Sequence, residues 1–202
     1  MYLPSHFESR DERTLAALMA AHPLAQIVHM GADGGFDADP VPLLYDAGSR
    51  TLRGHVARGN PLWRTAAGKP VLAIFTGTEA YVSPNWYPSK AATHKAVPTW
   101  NYLVVHAHGT LHARDDVAWL REFLPLLTAR HEAAQAKPWT LADAPEDYLQ
   151  QMMRAIVGIE IPAARLVGKI KASQNRNAAD RAGVAAGLGE HAMAALVSNP
   201  PA

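Results

Sequence analysis

Lys169, Lys171, Arg176 and Arg181 fall within sixteen residues, KIKASQNRNAADRAGV (169–184), among Ser173 and the amides of Gln174, Asn175 and Asn177. Such a mixture of fixed cations and neutral donors suits an anion, either a cofactor phosphate or nucleic acid, while a solvated loop is the plainer reading. GHVARGNPLW (54–63) is a second candidate, because Arg58 can grip a phosphate bidentately beside a helix opened by Asn60 and Pro61, with His55 at the preceding strand end. An ordinary surface arginine next to a capped turn would read the same way. In YVSPNWYPSK (81–90), Tyr81, Trp86 and Tyr87 accompany Ser83 and Lys90. These rings and one cation could border a planar, anionic ligand, or fill a dimer interface or a sheet edge.

Three histidines in VPTWNYLVVHAHGTLH (97–112) invite a metal reading, which strand geometry disfavours. His106 and His108 share a strand face about 6.6 Å apart, but His112 lies ~13 Å further on if extension continues. A zinc ion with bonds of about 2 Å cannot gather all three without a turn, so no metal site is assigned. Ser83 and Ser173 lack a nucleophile-elbow context, and no paired carboxylates stand out. The catalytic residues are therefore left unassigned, and whether the chain is an enzyme stays open.

Composition narrows the classes. The 202 residues carry 19 Lys+Arg against 18 Asp+Glu, a net charge of +1, so any nucleic-acid contact must be local or dimeric. There is no cysteine, which removes disulfides, thiolate catalysis and iron–sulfur ligation. The acidic, early-proline start MYLPSHFESRDERT lacks the apolar run of a secretory signal, and no stretch has the length to span a bilayer; a cytoplasmic protein without membrane contact is the expectation.

The elements that must position these residues are short. Helical spacing predicts 11–21, ended by His22-Pro23, and strands are predicted at 25–30, 41–45, 51–57, 71–75 and 80–82. A long extended segment is predicted over 99–111, then a helix opened by Asp115-Asp116 and another by Pro145. One or two extended segments, broken at Pro162, are predicted over 159–170, and two short helices close the chain. Many short strands without regular strand–helix alternation, and without a GxGxxG or Walker loop, predict a mainly β, α+β barrel with helical decoration. The expected organisation is one domain over 1–202, with a helical subdomain at about 115–157.

Five segments, MYLPSHF, HVARGNPLW, YVSPNWYPSK, VPTWNY with VVHAHG, and KIKASQNRNAADRAGV, lie in the order found in the PaiB-type family of FMN-binding negative transcriptional regulators, which the chain resembles over nearly its whole length. The resemblance implies an FMN-binding split β-barrel and a homodimeric flavoprotein with FMN at the subunit interface. It implies a ligand-facing set of His55, Arg58 and Asn60; of Ser83, Trp86, Tyr87 and Lys90; of Thr99, Trp100 and Asn101; and of Lys171, Ser173, Gln174, Asn175 and Arg176. Gly59 stands where relatives commonly carry alanine, leaving His55, Arg58 and Asn60 intact. A repressor acting in transcription regulation, with DNA as a further partner, is the function the resemblance implies. A flavin-dependent oxidoreductase on an unknown small molecule is the alternative, and a non-catalytic haem or small-molecule carrier is a third reading.

Overall fold

The computed structural model describes residues 1–200. After a 3₁₀ turn at Ser5–Phe7 come β1 (Glu8–Ser9), α1 (Glu12–Ala21), β2 (Leu24–Met30), β3 (Phe36–Pro42), β4 (Leu44–Asp46), β5 (Thr51–Ala57), α2 (Leu62–Thr65) and β6 (Pro70–Val82). A second 3₁₀ turn at Pro84–Trp86 leads to α3 (Ser89–Thr93), β7 (Thr99–Thr110), β8 (His112–Arg114), α4 (Val117–Glu132), α5 (Glu146–Arg154), β9 (Ile156–Lys171), α6 (Ala178–Leu188) and α7 (Ala192–Ser198).

The strands form a nine-stranded sheet in the order β3-β2-β6-β7-β9-β5-β4, with β1 and β8 paired to β9 off this path. Its two ends, β3 and β4, are not hydrogen-bonded to each other. The sheet is therefore not closed into a barrel, and the expected split β-barrel is corrected to an open sheet in a mixed α/β fold. The edge chemistry of β3 explains the opening. Its ladder to β2 runs unbroken from Leu24↔Pro42 to Met30↔Phe36, so the N–H groups missing at Pro40 and Pro42 belong to the outer edge. Asp37 and Asp39 add charge to the same short strand, a further block to pairing. At the other end, β4 has three residues, too few to extend a ladder.

By contacts the chain divides into two compact units. The first comprises Met1–His22, Phe75–His106 and the chain from Leu166 onward. Its core holds Leu15, Met19, Phe75, Val105, Val184 and Met193, all buried. The Asp11 carboxylate starts α1 by accepting the Thr14 N–H at 3.0 Å. The second unit comprises Pro23–Ile74 and Ala107–Arg165. There Ile27, Leu52, Leu120, Phe123, Ile159 and Ile161 are buried, and Trp119 stacks on Phe123 with ring centroids 4.9 Å apart.

Two strands are longer than the sequence pattern predicts. β6 runs without a break because its buried face changes phase: odd positions are buried through Gly77, even ones from Ala80 to Val82. A period-2 reading splits such a strand in two. β9 passes through Pro162 because that proline pairs with Thr51 at the end of the β5 ladder, where the missing donor costs least.

Candidate functional site

Alternation along β9 sends Lys169 and Lys171 to the same side, and the chain then leaves the strand through Ser173, which adopts φ 61°. That left-handed turn is locked from within. The Gln174 amide donates to the Ile170 carbonyl at 2.6 Å and accepts the Ala172 N–H at 2.7 Å, while the Arg176 N–H reaches the Ser173 carbonyl at 3.0 Å. Asn177 then opens α6 by accepting the Asp180 N–H at 2.8 Å.

Strand β7 supplies the facing wall. Buried Asn101 donates through Nδ2 to Ser173 Oγ at 2.9 Å. Lys171 Nζ donates to Thr99 Oγ1 and to the Trp100 carbonyl. The Arg176 guanidinium lies 4.5 Å above the ring of buried Tyr87. Together Tyr87, Thr99, Asn101, Lys171, Asn175 and Arg176 line a cavity of about 130 Å³ whose wall includes no carboxylate. Burial, with Lys169 and Arg176 close by, pushes the Lys171 ammonium below the ordinary lysine range. Asn101 Oδ1 and the Tyr87 hydroxyl are buried without a hydrogen-bond partner. An occupant that is anionic and carries hydroxyl groups would answer both the cations and the orphaned polar atoms.

A shallower groove of about 390 Å³ shares Tyr87 with this cavity and is lined also by Asn85, Trp86, Lys90 and His94. Ser83 Oγ accepts the Asn85 N–H at 3.2 Å, and Lys90 Nζ donates to Asn85 Oδ1, so both side chains shape the turn. Trp86 is fixed by α6, whose Gly183 and Gly187 leave room for it; a Cβ on Gly187 would stand 2.3 Å from Trp86 Cδ2. Trp100 is 53% exposed and meets Tyr81 edge-on at 6.0 Å, outside the cavity lining.

His55, Arg58 and Asn60 belong to the second unit and there have other work. Arg58 is committed to protein: its two terminal nitrogens grip the Asp115 carboxylate at 2.9 and 2.6 Å, and Nε donates to the Arg154 carbonyl at 2.6 Å. Asn60 Nδ2 donates to Asp39 at 2.6 Å, and its Oδ1 accepts the Leu62 N–H at 2.8 Å. His55 has a buried Nδ1 without a partner, and burial lowers its pKa.

The sequence places Lys169 in the basic cluster but not in the ligand-facing set, and it does not announce the roles of Asp180 and Asp115. Lys169 Nζ donates to the Tyr2 carbonyl at 3.1 Å and lies 5.2 Å from the Tyr102 ring centroid. Its i, i+2 spacing from Lys171 on a strand was the available signal. Asp180 is buried; its carboxylate accepts the Ser89 N–H at 3.0 Å, the Ser89 hydroxyl at 2.7 Å and Asn177 Nδ2 at 3.1 Å. Burial alone would raise its pKa, but the Ser89 donors, with Arg176 nearby, hold it below the ordinary carboxylate range. Nothing local in the sequence announces the Ser89 partner. Asp115 was read as a helix opener only, yet it is the anchor of Arg58.

Residues 1–165 match the family described as "Putative FMN-binding domain". The chain belongs to this FMN-binding family. FMN is the cofactor of the domain, and a cavity presenting cations beside unpartnered acceptor and hydroxyl groups fits the phosphate and polyol end of that molecule. The matched span stops before Lys169, so the FMN-binding domain as matched excludes the basic segment that closes the cavity. The chain is 30% identical over 185 residues to Protease synthase and sporulation protein PAI 2 of Bacillus subtilis, covering 89% of this chain and 85% of that protein. An uncharacterised protein of Aspergillus fumigatus is 35% identical over 171 residues, covering 68% of this chain; the chain spans 66% of its length, just under two thirds. In fold, the flavocytochrome Anf3 from Azotobacter vinelandii is similar with a TM-score of 0.61 at 14% identity, covering 82% of this chain and 69% of that one. Among the described residues no helix is long and apolar enough to cross a membrane.

Proposed function

We propose that this FMN-binding protein is a flavin-dependent oxidoreductase acting on a small molecule. Lys171, Arg176, Asn175 and Thr99 receive the cofactor phosphate, and Asn101, Ser173 and Tyr87 meet the polyol hydroxyls. At about 130 Å³ the cavity falls short of the several hundred Å³ of a typical cofactor site, so it takes one end of the ligand only. The planar part extends along the groove beside Ser83, Trp86, Tyr87 and Lys90, with Trp100 and Gln174 supporting its rim. His55, Arg58 and Asn60 are proposed as ligand-facing through the family resemblance alone. The protein works as a homodimer in this reading.

One observation carries the proposal: the cavity wall offers cations and neutral donors but no carboxylate and no acid–base pair. Such a wall binds and orients; bound FMN would supply the hydride and electron chemistry. Arg176 over Tyr87 and the Asn101–Ser173 bond hold the wall rigid before the ligand arrives.

A regulatory role has separate support in the kinship with a protein named for protease synthesis and sporulation. The C-terminal helix pair α6 and α7 carries a single basic residue, Arg181, which does not favour that pair as a DNA-reading unit. The experiment is an absorption-monitored FMN titration of cofactor-stripped protein, followed by NAD(P)H oxidation with a panel of quinone and nitroaromatic acceptors. Saturable FMN binding with sustained turnover is expected. FMN binding without turnover, accompanied by salt-sensitive, sequence-specific DNA binding, would replace the enzyme with the regulator.

A further inference from the structure

Lys171 lines a small cavity, and its ammonium makes two hydrogen bonds, to Thr99 Oγ1 and the Trp100 carbonyl. A neutral lysine amine has two N–H bonds and one lone pair. With both donors spoken for, the lone pair takes the remaining tetrahedral position, on a side chain that lines the cavity.

Two neighbouring cations raise the neutral fraction of this amine: Lys169 from β9 itself and Arg176 from the loop before α6. Thr99 and the Tyr102 ring from β7, and the Phe7 ring from the N-terminal 3₁₀ turn, each ring 5.9 Å from Nζ, act the other way and favour the ammonium. Two acids of the same unit are occupied elsewhere. Glu8 stands opposite Lys169 in the β1–β9 register but is hydrogen-bonded to Arg10 at 2.8 Å, and Asp180 is held by Ser89. Desolvation and two neighbouring cations accordingly lower the pKa of this amine.

We propose that Lys171 is a reactive amine that forms a reversible imine with small anionic aldehydes entering this cavity. Arg176 and Asn175 hold the phosphate or carboxylate of the aldehyde. The Lys171 lone pair adds to the carbonyl carbon, and a proton passes from nitrogen to oxygen to give a carbinolamine. Loss of water, with the second N–H proton leaving, forms the C=N bond; hydrolysis reverses each step without any further reactant. This chemistry stands apart from the redox reading and uses the cavity when FMN does not fill it.

The test uses pyridoxal 5′-phosphate as probe, with pyridoxal as its anion-free counterpart, on cofactor-stripped protein across neutral to alkaline pH. Adducts are fixed with borohydride and located by peptide mass mapping. Lys171 is expected to be labelled several-fold faster than Lys95 or Lys137 near neutral pH, because its pKa is lowered and Arg176 and Asn175 line the same cavity to hold the anion. Its labelling should begin at lower pH than theirs, and pyridoxal should react there much more slowly. Lys171→Arg, which keeps the charge, should abolish the fast phase while circular dichroism remains unchanged. Uniform labelling of all lysines, or equal rates with pyridoxal, overturns the proposal. Fast Labelling at Lys171 that saturating FMN does not slow supports the reactive amine and counts against FMN phosphate in this cavity, which separates the two readings.

Discussion

Single residues here are poised by unequal competition between burial and hydrogen bonding. His55 is the case where burial wins: Nδ1 lacks a partner, and its pKa lies below the ordinary histidine value of about 6.5. The unfolded chain therefore binds a proton before the folded chain does. Stability is complete above the ordinary histidine pKa and declines as pH falls toward the lower folded value. Thermal unfolding followed between neutral and mildly acidic pH should show this decline, and His55→Gln should flatten it. Asp180 is the opposite case, where donors outweigh burial. Asp180→Ala would leave the half-buried Ser89 N–H without its acceptor, at a cost of about 1 kcal/mol. Denaturant titration should show that loss, and Asp180→Asn should recover part of it by keeping one carbonyl oxygen in place.

At the scale of elements, α6 is fitted to the aromatic turn beneath it. Gly183 and Gly187 lie one helical turn apart, and a Cβ on either would meet Trp86, at 2.1 Å from its carbonyl oxygen and 2.3 Å from its ring respectively. Alanine would raise helix propensity by about 1 kcal/mol, but overpacking costs about 1–3 kcal/mol. Gly183→Ala should be the worse of the two, since a backbone carbonyl yields less than a ring. Both should lower the unfolding midpoint, read by chemical denaturation. The same element shows what could be read in advance. Asn177 followed by Asp180 announces a helix start, and α1, β2, β5 and both late helices follow from period and caps. The cavity's basic residues were visible as a cluster, because β9 and its turn keep them close in sequence. What pairs with them was not: Asn101 with Ser173, and Ser89 with Asp180, join residues on distant segments, and only the fold sets those distances. Sheet closure was equally illegible, since a count of strands does not say whether the last edge finds a partner; here the prolines of β3 hold the answer.

For the molecule as a whole, the cavity links cofactor binding to stability. Lys171, Lys169 and Arg176 crowd positive charge with no carboxylate lining the cavity, an arrangement that a bound phosphate relieves. FMN at a hundred times its Kd should add about 2.7 kcal/mol. For a chain of this length that corresponds to a rise in Tm of roughly 5–10 °C. Lys171→Ala with Arg176→Ala removes the repulsion together with the site, so the doubly substituted apo protein should melt no lower than the unsubstituted apo protein. Its gain from FMN should largely vanish, and riboflavin, lacking the phosphate, should stabilise both proteins little. Differential scanning of the four combinations distinguishes the cause. If the double variant keeps the full FMN-dependent rise, the phosphate is held by other residues. If its apo form melts far below the unsubstituted protein, the cations serve the fold before they serve the cofactor.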